Sequence, residues 1–232
     1  MNKSEAKELM TKHLLPIIKK YGYQEKKIRS SDFSFVRNTP MGVDEIMGGF
    51  NDYNPVQKIL YSLQKCYTPV NDILLLLQAG GITLNPKVTK NSATIGFSYS
   101  TLNDIRKDTY LPEMQTEEEV LSNVNMMVAF FEGTAFPLLD KFEDLREIDR
   151  IINGEDLWTT DWLKPYRFGL YFYLNRLIIA RLAGLGNYDR VLEFLRKEYG
   201  SHVNDKDGSA FRAILHEIEA LNKLLADVKP LY

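Results

Sequence analysis

The side chains best suited to catalysis are few in this chain, and none of them falls into a known motif. Cys66 is the only cysteine, and the three histidines (His13, His202 and His216) are not spaced as metal ligands. The sequence has no phosphate-binding glycine loop, no HExxH and no GxSxG. Since Cys66 ends a predicted strand, we interpret it as a buried structural thiol. We therefore predict no catalytic residue and no cofactor.

Acidic side chains between Asp140 and Asp149 are the next candidates for chemistry. Carboxylates on adjacent helical turns could bind a metal ion, but Arg146 and Arg150 interleave with them. Interleaved charges of this kind are typical of a solvated, salt-bridged helix face. The sequence therefore predicts no metal site here.

The densest aromatic run lies between Tyr166 and Tyr173. One interpretation is a helix packed on both sides, which the composition favours. The other is that Tyr166 and Tyr171 face a partner or a ligand, because tyrosine is favoured at contacts. Stacking on nucleic-acid bases would also use aromatic rings, but it needs a basic groove that the sequence does not offer.

Composition excludes several classes of protein. The chain has 232 residues, 44% of them hydrophobic and 26% charged, which is typical of a folded globular protein. A formal net charge of -2 gives no reason to expect nucleic acid or an anionic membrane as partner. Apolar runs such as Ile73–Leu77 and Leu177–Ala180 are far shorter than the about 20 residues that cross a bilayer. The first ten residues lack the apolar core of a signal peptide, so we expect a cytoplasmic protein.

Hydrophobic periodicity predicts the elements that would position these side chains. An amphipathic helix over Ala6–Tyr21 ends at Gly22. Alternating or short apolar runs predict strands at 33–36, 43–50, 59–66, 82–84 and 94–100, the first three as an antiparallel meander. The run Ile73–Leu77 fits a short helix or a buried strand, and its period does not decide between them.

The longest helical signal runs from Thr116 to Ile152. Thr116 and Glu119 form a capping box at its start. Gly133 and Pro137 interrupt the apolar stripe without ending it, so we predict one kinked helix or two nearly collinear ones. Further helical patterns follow, the first of them opening at Pro165.

These elements predict an α+β fold: an antiparallel sheet of about five strands covered by helices, followed by a C-terminal helical bundle. Residues 1–115 would form the sheet region, and residues 116–232 a helical region packed on it as one compact unit. The sequence leaves open whether the two regions make one domain or two.

The first part of the chain resembles a bacterial protein group, the domain of unknown function 4304. The opening helix runs through Leu14-Leu15-Pro16 into Tyr21-Gly22-Tyr23, and a strand with Phe and Arg follows at Phe33–Arg37. The long helix carries a late proline in Phe136-Pro137-Leu138-Leu139. The likeness covers roughly Ser4 to Ile152 and implies a fold but no activity.

Two functions stay open at this point. The first is a non-enzymatic protein-interaction or regulatory module, whose partner would be another protein and whose oligomeric state the sequence does not give. The second is a small-molecule binder or an enzyme with a pocket between the sheet and the kinked central helix. From residue type and position on predicted strands or helix ends, the candidate contact residues are Arg37, Tyr61, Tyr99 and Tyr166.

Overall fold

A computed structural model describes residues 1–26, 32–52, 56–102, 113–154, 166–169, 171–205 and 208–232 of the chain. The chain divides into two compact units. Unit 1 comprises Met1–Cys66, Ile95–Glu143 and Pro165–Arg167, and unit 2 comprises Tyr67–Thr94, Asp144–Lys164 and Phe168–Tyr232. This grouping does not follow chain order, and the division into residues 1–115 and 116–232 stays a prediction.

A sheet with its strands in the order of the chain confirms the predicted antiparallel architecture. The strands are β1 (Gln24–Glu25), β2 (Phe33–Thr39), β3 (Gly42–Asp52), β4 (Gln57–Tyr67), β5 (Ile95–Phe97) and β6 (Arg167–Phe168). The meander of β2, β3 and β4 forms because inward apolar residues alternate with outward polar ones. In its register Arg37 lies directly opposite Asp44, and Leu63 of β4 lies opposite Phe97 of β5.

Unit 1 places its helices against one face of this meander. They are α1 (Lys3–Ile18), α3 (Tyr99–Leu102), α4 (Glu117–Phe130) and α5 (Phe136–Lys141), with a π-helical segment at Phe131–Ala135 between α4 and α5. The predicted capping box of Thr116 and Glu119 opens α4. Gly22 follows α1 and a short 3₁₀ turn with a φ of 84°, a left-handed conformation that glycine adopts without strain. The interruption predicted near Gly133 and Pro137 is present as the π-helical segment between α4 and α5.

Unit 2 contains the predicted helical bundle. Its helices are α2 (Thr68–Ala79), α6 (Leu145–Ile152), α7 (Phe172–Ala183), α8 (Tyr188–Ser201) and α9 (Gly208–Leu225). Helix α7 packs against the other four, which explains why nearly all of its residues are buried. The structure also decides the Ile73–Leu77 alternative in favour of a helix, since Pro69 lies in the first turn of α2, where its missing N–H costs nothing.

Two sequence-based predictions in unit 2 were wrong. The segment 82–84 is not a strand, because the Ile82 N–H donates to the Leu77 carbonyl and so bonds the end of α2. The helix predicted to open at Pro165 begins only at Phe172. Before it, the Gly169 N–H donates to the Thr94 carbonyl, which holds this backbone out of the helical conformation.

In the part of the chain that the structure describes, no helix combines the length and the apolar character that a bilayer crossing requires.

Candidate functional site

A buried ion network occupies the helix-facing side of the sheet in unit 1. Lys65 and Asp44 are fully buried, and the Lys65 Nζ lies 2.7 Å from the Asp44 Oδ1. The same ammonium contacts the Glu143 carboxylate just beyond α5. Buried charges are tolerated only when paired and hydrogen-bonded, so these three residues depend on one another.

Arg37 completes this network. Its Nε and Nη2 donate to the Asp44 Oδ2 at 3.0 and 2.6 Å, and its Nη2 also donates to the Asp140 Oδ1 at 2.7 Å. Asp44 thus accepts Lys65 on one oxygen and Arg37 on the other. These contacts raise the pKa of Arg37 against the opposing effect of its partial burial, so its charge is fixed. We call Arg37, Asp44, Lys65, Asp140 and Glu143 the ion network.

The ion network holds its members against each other rather than against a substrate. A general base or nucleophile needs a lone pair directed at a reacting atom, and both oxygens of Asp44 already accept strong hydrogen bonds. Among the described residues, no group of three or more His, Cys, Asp or Glu side chains could hold a metal ion. The arrangement is therefore suited to fixing α5 on the sheet.

The opposite face of the same strands carries a second buried polar cluster. The Glu45 carboxylate accepts from the Ser34 hydroxyl at 2.8 Å and from the Gln64 amide at 2.6 Å. Cys66 is buried, as predicted, and burial together with Glu45 and Asp44 raises the pKa of its thiol to about 12. Because the thiolate is the nucleophilic form, this cysteine is inert at neutral pH.

The structure gives the surroundings of each of the four candidate contact residues, whose role stays a prediction. Tyr61 is buried in β4, where its ring lies edge-on to Phe131 at 5.5 Å and burial raises its pKa. Tyr99 opens α3 and packs on Phe130 at 5.3 Å, close enough to Tyr61 for the two to interact electrostatically. Tyr166 packs on Phe142 at 5.9 Å, and Arg37 belongs to the ion network. Tyr61 and Tyr99 are therefore neighbours.

Aromatic side chains occupy the space between the sheet and the central helix, where the second hypothesis places a pocket. Phe131 lies at the centre of this layer and is fully buried. Its ring packs against those of Tyr61, Phe130 and Phe136, with centroid separations of 5.5 to 6.0 Å. These residues form a close-packed core, which explains the apolar stripe of the central helix without a ligand.

A surface groove of about 540 Å³ lies where α1 meets the first strand of the sheet. We call it the β1 groove; its lining residues are Leu15, Lys19, Gly22, Tyr23, Gln24 and Glu25. Tyr23 forms a buried floor, stacked on Phe136 at 5.2 Å and lying beneath the Arg37 guanidinium at 5.3 Å. The ion network therefore supports the floor of the groove through Arg37.

The strand beside the groove has backbone groups that bond to none of the described residues. The Lys26 N–H donates to the Ser34 carbonyl at 2.9 Å, which makes this pair one of the hydrogen-bonded pairs of the β1–β2 ladder. Antiparallel strands alternate bonded and non-bonded pairs, so Gln24 bonds to β2 and Glu25 does not. The N–H and C=O of Glu25 consequently point away from β2, at the edge of the sheet.

Unit 2 has a polar core of its own around Asp149. This buried carboxylate accepts from the side-chain amides of Asn153 at 2.8 Å and Asn187 at 2.7 Å. Asn187 is the residue before α8, and its side chain bonds Asp149 rather than capping that helix. The Arg176 Nε donates to the Asn153 Oδ1, and burial lowers the pKa of Arg176 to about 10. Neutral amides thus separate the buried acid from the buried base.

Asp149 predicts a pH dependence of stability. Burial raises its pKa above the ordinary value of 3.8, so the folded state favours the protonated acid. The contribution of the Asp149 carboxyl to the free energy of unfolding is therefore largest below pH 3.8. It is lost as the pH rises through the folded-state pKa. We expect the free energy of unfolding of the wild type, minus that of Asp149→Asn, to increase as the pH falls from 7 toward 4. Urea denaturation of both proteins at several pH values measures this difference. A difference that is constant, or that decreases as the pH falls, would contradict a raised pKa of Asp149.

No protein-family model matches the chain, and no curated protein or solved structure is significantly similar to it. The resemblance to the domain of unknown function 4304 group stays a prediction. Function must therefore be argued from the geometry of the chain alone.

Sequence reasoning missed the ion network, although one signal for it was present. Lys65 continues the inward series of Ile59, Tyr61 and Leu63 in β4, so the two-residue period already places it on the buried face. A lysine at such a position requires a buried acid, and Asp44 on the neighbouring strand supplies it. The β1 groove left no comparable signal, since its lining comes from both sides of a helix end.

Proposed function

We propose that the protein is a non-enzymatic interaction module that binds an extended, acidic segment of a partner protein in the β1 groove. The observation that supports this most directly is the outward-facing backbone of Glu25 beside the groove. The proposal includes the cytoplasmic location expected from the sequence.

The edge position of β1 favours an extended partner segment. An edge strand offers N–H and C=O groups to which a peptide can add as a further strand, and adjacent pockets then select its side chains. In the β1 groove the Glu25 backbone would supply the pairing groups. Leu15 of α1 would supply an apolar surface for a side chain of the peptide, and the fully buried Tyr23 would support the groove from beneath.

Charge favours an acidic segment. Lys19 and Lys20 are exposed at the end of α1, and Lys26 follows the strand, whereas Glu25 is the one acid among the groove-lining residues. Rim charges of one sign attract a partner of the opposite sign and speed its association at low salt. The resulting affinity should fall as the salt concentration rises.

The rest of unit 1 supports a binding role over catalysis. The titratable groups that are best placed for chemistry, Asp44 and Lys65, bond to each other inside the protein. The network they form holds Arg37 against Tyr23, so the floor of the groove is preorganised before a partner arrives. Preorganisation of this kind lowers the entropic cost of binding.

Glu25→Pro tests the proposal, since proline removes the outward N–H and is tolerated on edge strands where that N–H is not used by the ladder. The probe is a fluorescein-labelled decapeptide of alternating glutamate and valine, and fluorescence anisotropy measures its binding. We expect the variant to bind about tenfold more weakly, the equivalent of one backbone hydrogen bond of about 1.4 kcal/mol.

Two controls make the result specific. Glu25→Ala keeps the backbone N–H and removes a negative charge, so it should bind the peptide at least as well as the wild type. A lysine–valine decapeptide should bind more weakly than the glutamate–valine one, because the lysines at the rim repel it. Equal binding of the acidic peptide by Glu25→Pro and Glu25→Ala would reject strand addition at β1.

A further inference from the structure

Unit 2 contains a small cavity that lies apart from its polar core. Its volume is about 170 Å³, and it lies between α2, the segment around residues 86–93 and the start of α7, with one side open to solvent. Its wall is mostly apolar, with a few polar groups; the residues that matter here are Leu74, Lys87, Val88, Tyr171 and Asn175. Small-molecule sites typically combine an apolar lining with a few convergent polar groups in this way.

Asn175 is the unusual residue of this wall. Only 4% of its surface is exposed, and its Oδ1 accepts no hydrogen bond in the described structure. Leaving a buried polar atom unpaired costs about 1–3 kcal/mol, so such atoms are rare unless a water molecule or a ligand satisfies them. Rotation of the amide about χ2, which has a broad energy profile in asparagine, can present this oxygen to the cavity.

The surrounding backbone keeps the cavity in shape. A Cβ on Gly169 would lie 2.0 Å from the Ala93 carbonyl oxygen, so the two segments are in direct backbone contact there. The Tyr171 hydroxyl donates to the Pro86 carbonyl at 2.7 Å and ties the start of α7 to the segment after α2. The cavity is thus a product of fixed backbone contacts rather than of loose packing.

Size and chemistry together define the ligand class. A dry cavity of about 150 Å³ in another protein holds benzene, so about 170 Å³ here fits a single ring with one small substituent. The unpaired Asn175 oxygen requires a hydrogen-bond donor, and the exposed Lys87, which also lines the cavity, offers a donor to an acceptor. A primary carboxamide carries both complementary groups on one carbon atom.

We propose that this cavity is a binding site for a small primary carboxamide on an apolar ring or a branched chain. The amide N–H₂ donates to the Asn175 Oδ1, the amide carbonyl accepts from Lys87, and the apolar part packs on Leu74 and Val88. The site belongs to unit 2 and uses no residue of the β1 groove, so the two proposals stand or fall separately.

A titration of the full chain with benzamide tests the site, followed by ¹H–¹⁵N correlation NMR of the backbone amides of Leu74, Val88 and Asn175. Benzoate and toluene are the matched probes: benzoate keeps the acceptors but has no donor at neutral pH, and toluene has neither. We expect benzamide to bind at least tenfold more tightly than both. Equal affinities of benzamide and benzoate would overturn the proposed bond to Asn175, and shifts confined to other residues would overturn the site.

Two variants separate loss of binding from loss of folding. Asn175→Leu replaces the unpaired oxygen by methyl groups, so it should leave the thermal unfolding temperature unchanged or higher while weakening benzamide binding at least tenfold. Leu74→Phe fills the cavity and should abolish benzamide binding because the ring leaves no room for the ligand. This test holds even if Asn175→Leu does not fold. Retained benzamide binding in folded Leu74→Phe would show that the ligand does not occupy this cavity.

Discussion

Replacing Lys65 by methionine is expected to lower the free energy of unfolding by about 3–5 kcal/mol, the largest effect of any single substitution in the ion network. Methionine preserves the length of the side chain and its packing but removes the ammonium. The fully buried Asp44 then keeps only Arg37, and Glu143 keeps only the Met41 backbone N–H. Urea denaturation followed by circular dichroism measures the loss.

A second variant distinguishes a broken pair from a general packing defect. In Asp44→Leu/Lys65→Met both buried charges are gone, Arg37 keeps Asp140, and the partly exposed Glu143 is hydrated. We therefore expect the double variant to be more stable than Lys65→Met alone. A loss of unfolding free energy equal to the sum of the losses of the two single variants would contradict this expectation. Glu219→Gln breaks an exposed pair with Arg196 and should cost less than about 1 kcal/mol.

Phe131→Ala is expected to cost about 3–5 kcal/mol, because it removes a fully buried ring and leaves a cavity that the surroundings cannot fill. The ring touches Tyr61 on the sheet and Phe136 on α5, so its loss uncouples the two layers of unit 1. The same urea titration reports this change as a lower denaturation midpoint.

The matched control for Phe131 lies on the same helical stretch. Met126 is 36% exposed on α4, and Met126→Ala should change stability by less than about 0.5 kcal/mol. Similar losses for Met126→Ala and Phe131→Ala would mean that helix propensity rather than burial determines the stability of this stretch.

The elements that sequence reasoning predicted correctly are those whose determinants are local. The alternation of Phe33, Phe35 and their neighbours specifies a strand whatever surrounds it. The Thr116–Glu119 capping box and the left-handed Gly22 are likewise complete within a few residues, and both occur as predicted. Local patterns therefore sufficed for the α+β class, the meander and the C-terminal bundle.

The failures concern contacts between residues distant in sequence. The helix predicted to open at Pro165 fails in this way, because the Gly169 N–H bonds to the distant Thr94 carbonyl. The strand predicted at 82–84 is an exception, since Ile82 bonds to Leu77 at the end of the helix just before it. Tyr61 is a candidate contact residue by its type alone and stays one, but its packing against Phe131 is a contact that no local pattern indicates. The candidate sites are of the same kind: the β1 groove needs the order of the sheet, and the cavity beside Asn175 needs the approach of Gly169 to Ala93.

The π segment at Phe131–Ala135 has a consequence for which changes of chain length this protein tolerates. A π turn holds one residue more than an α turn, so deletion of Gly133 would let the segment become α-helical and keep Asp140 and Glu143 directed at Arg37 and Lys65. A deletion in the regular helix α4 has no such surplus to remove, and it would turn these two carboxylates by about 100° and disconnect the ion network. The π segment should therefore tolerate the loss of one residue, whereas α4 should not.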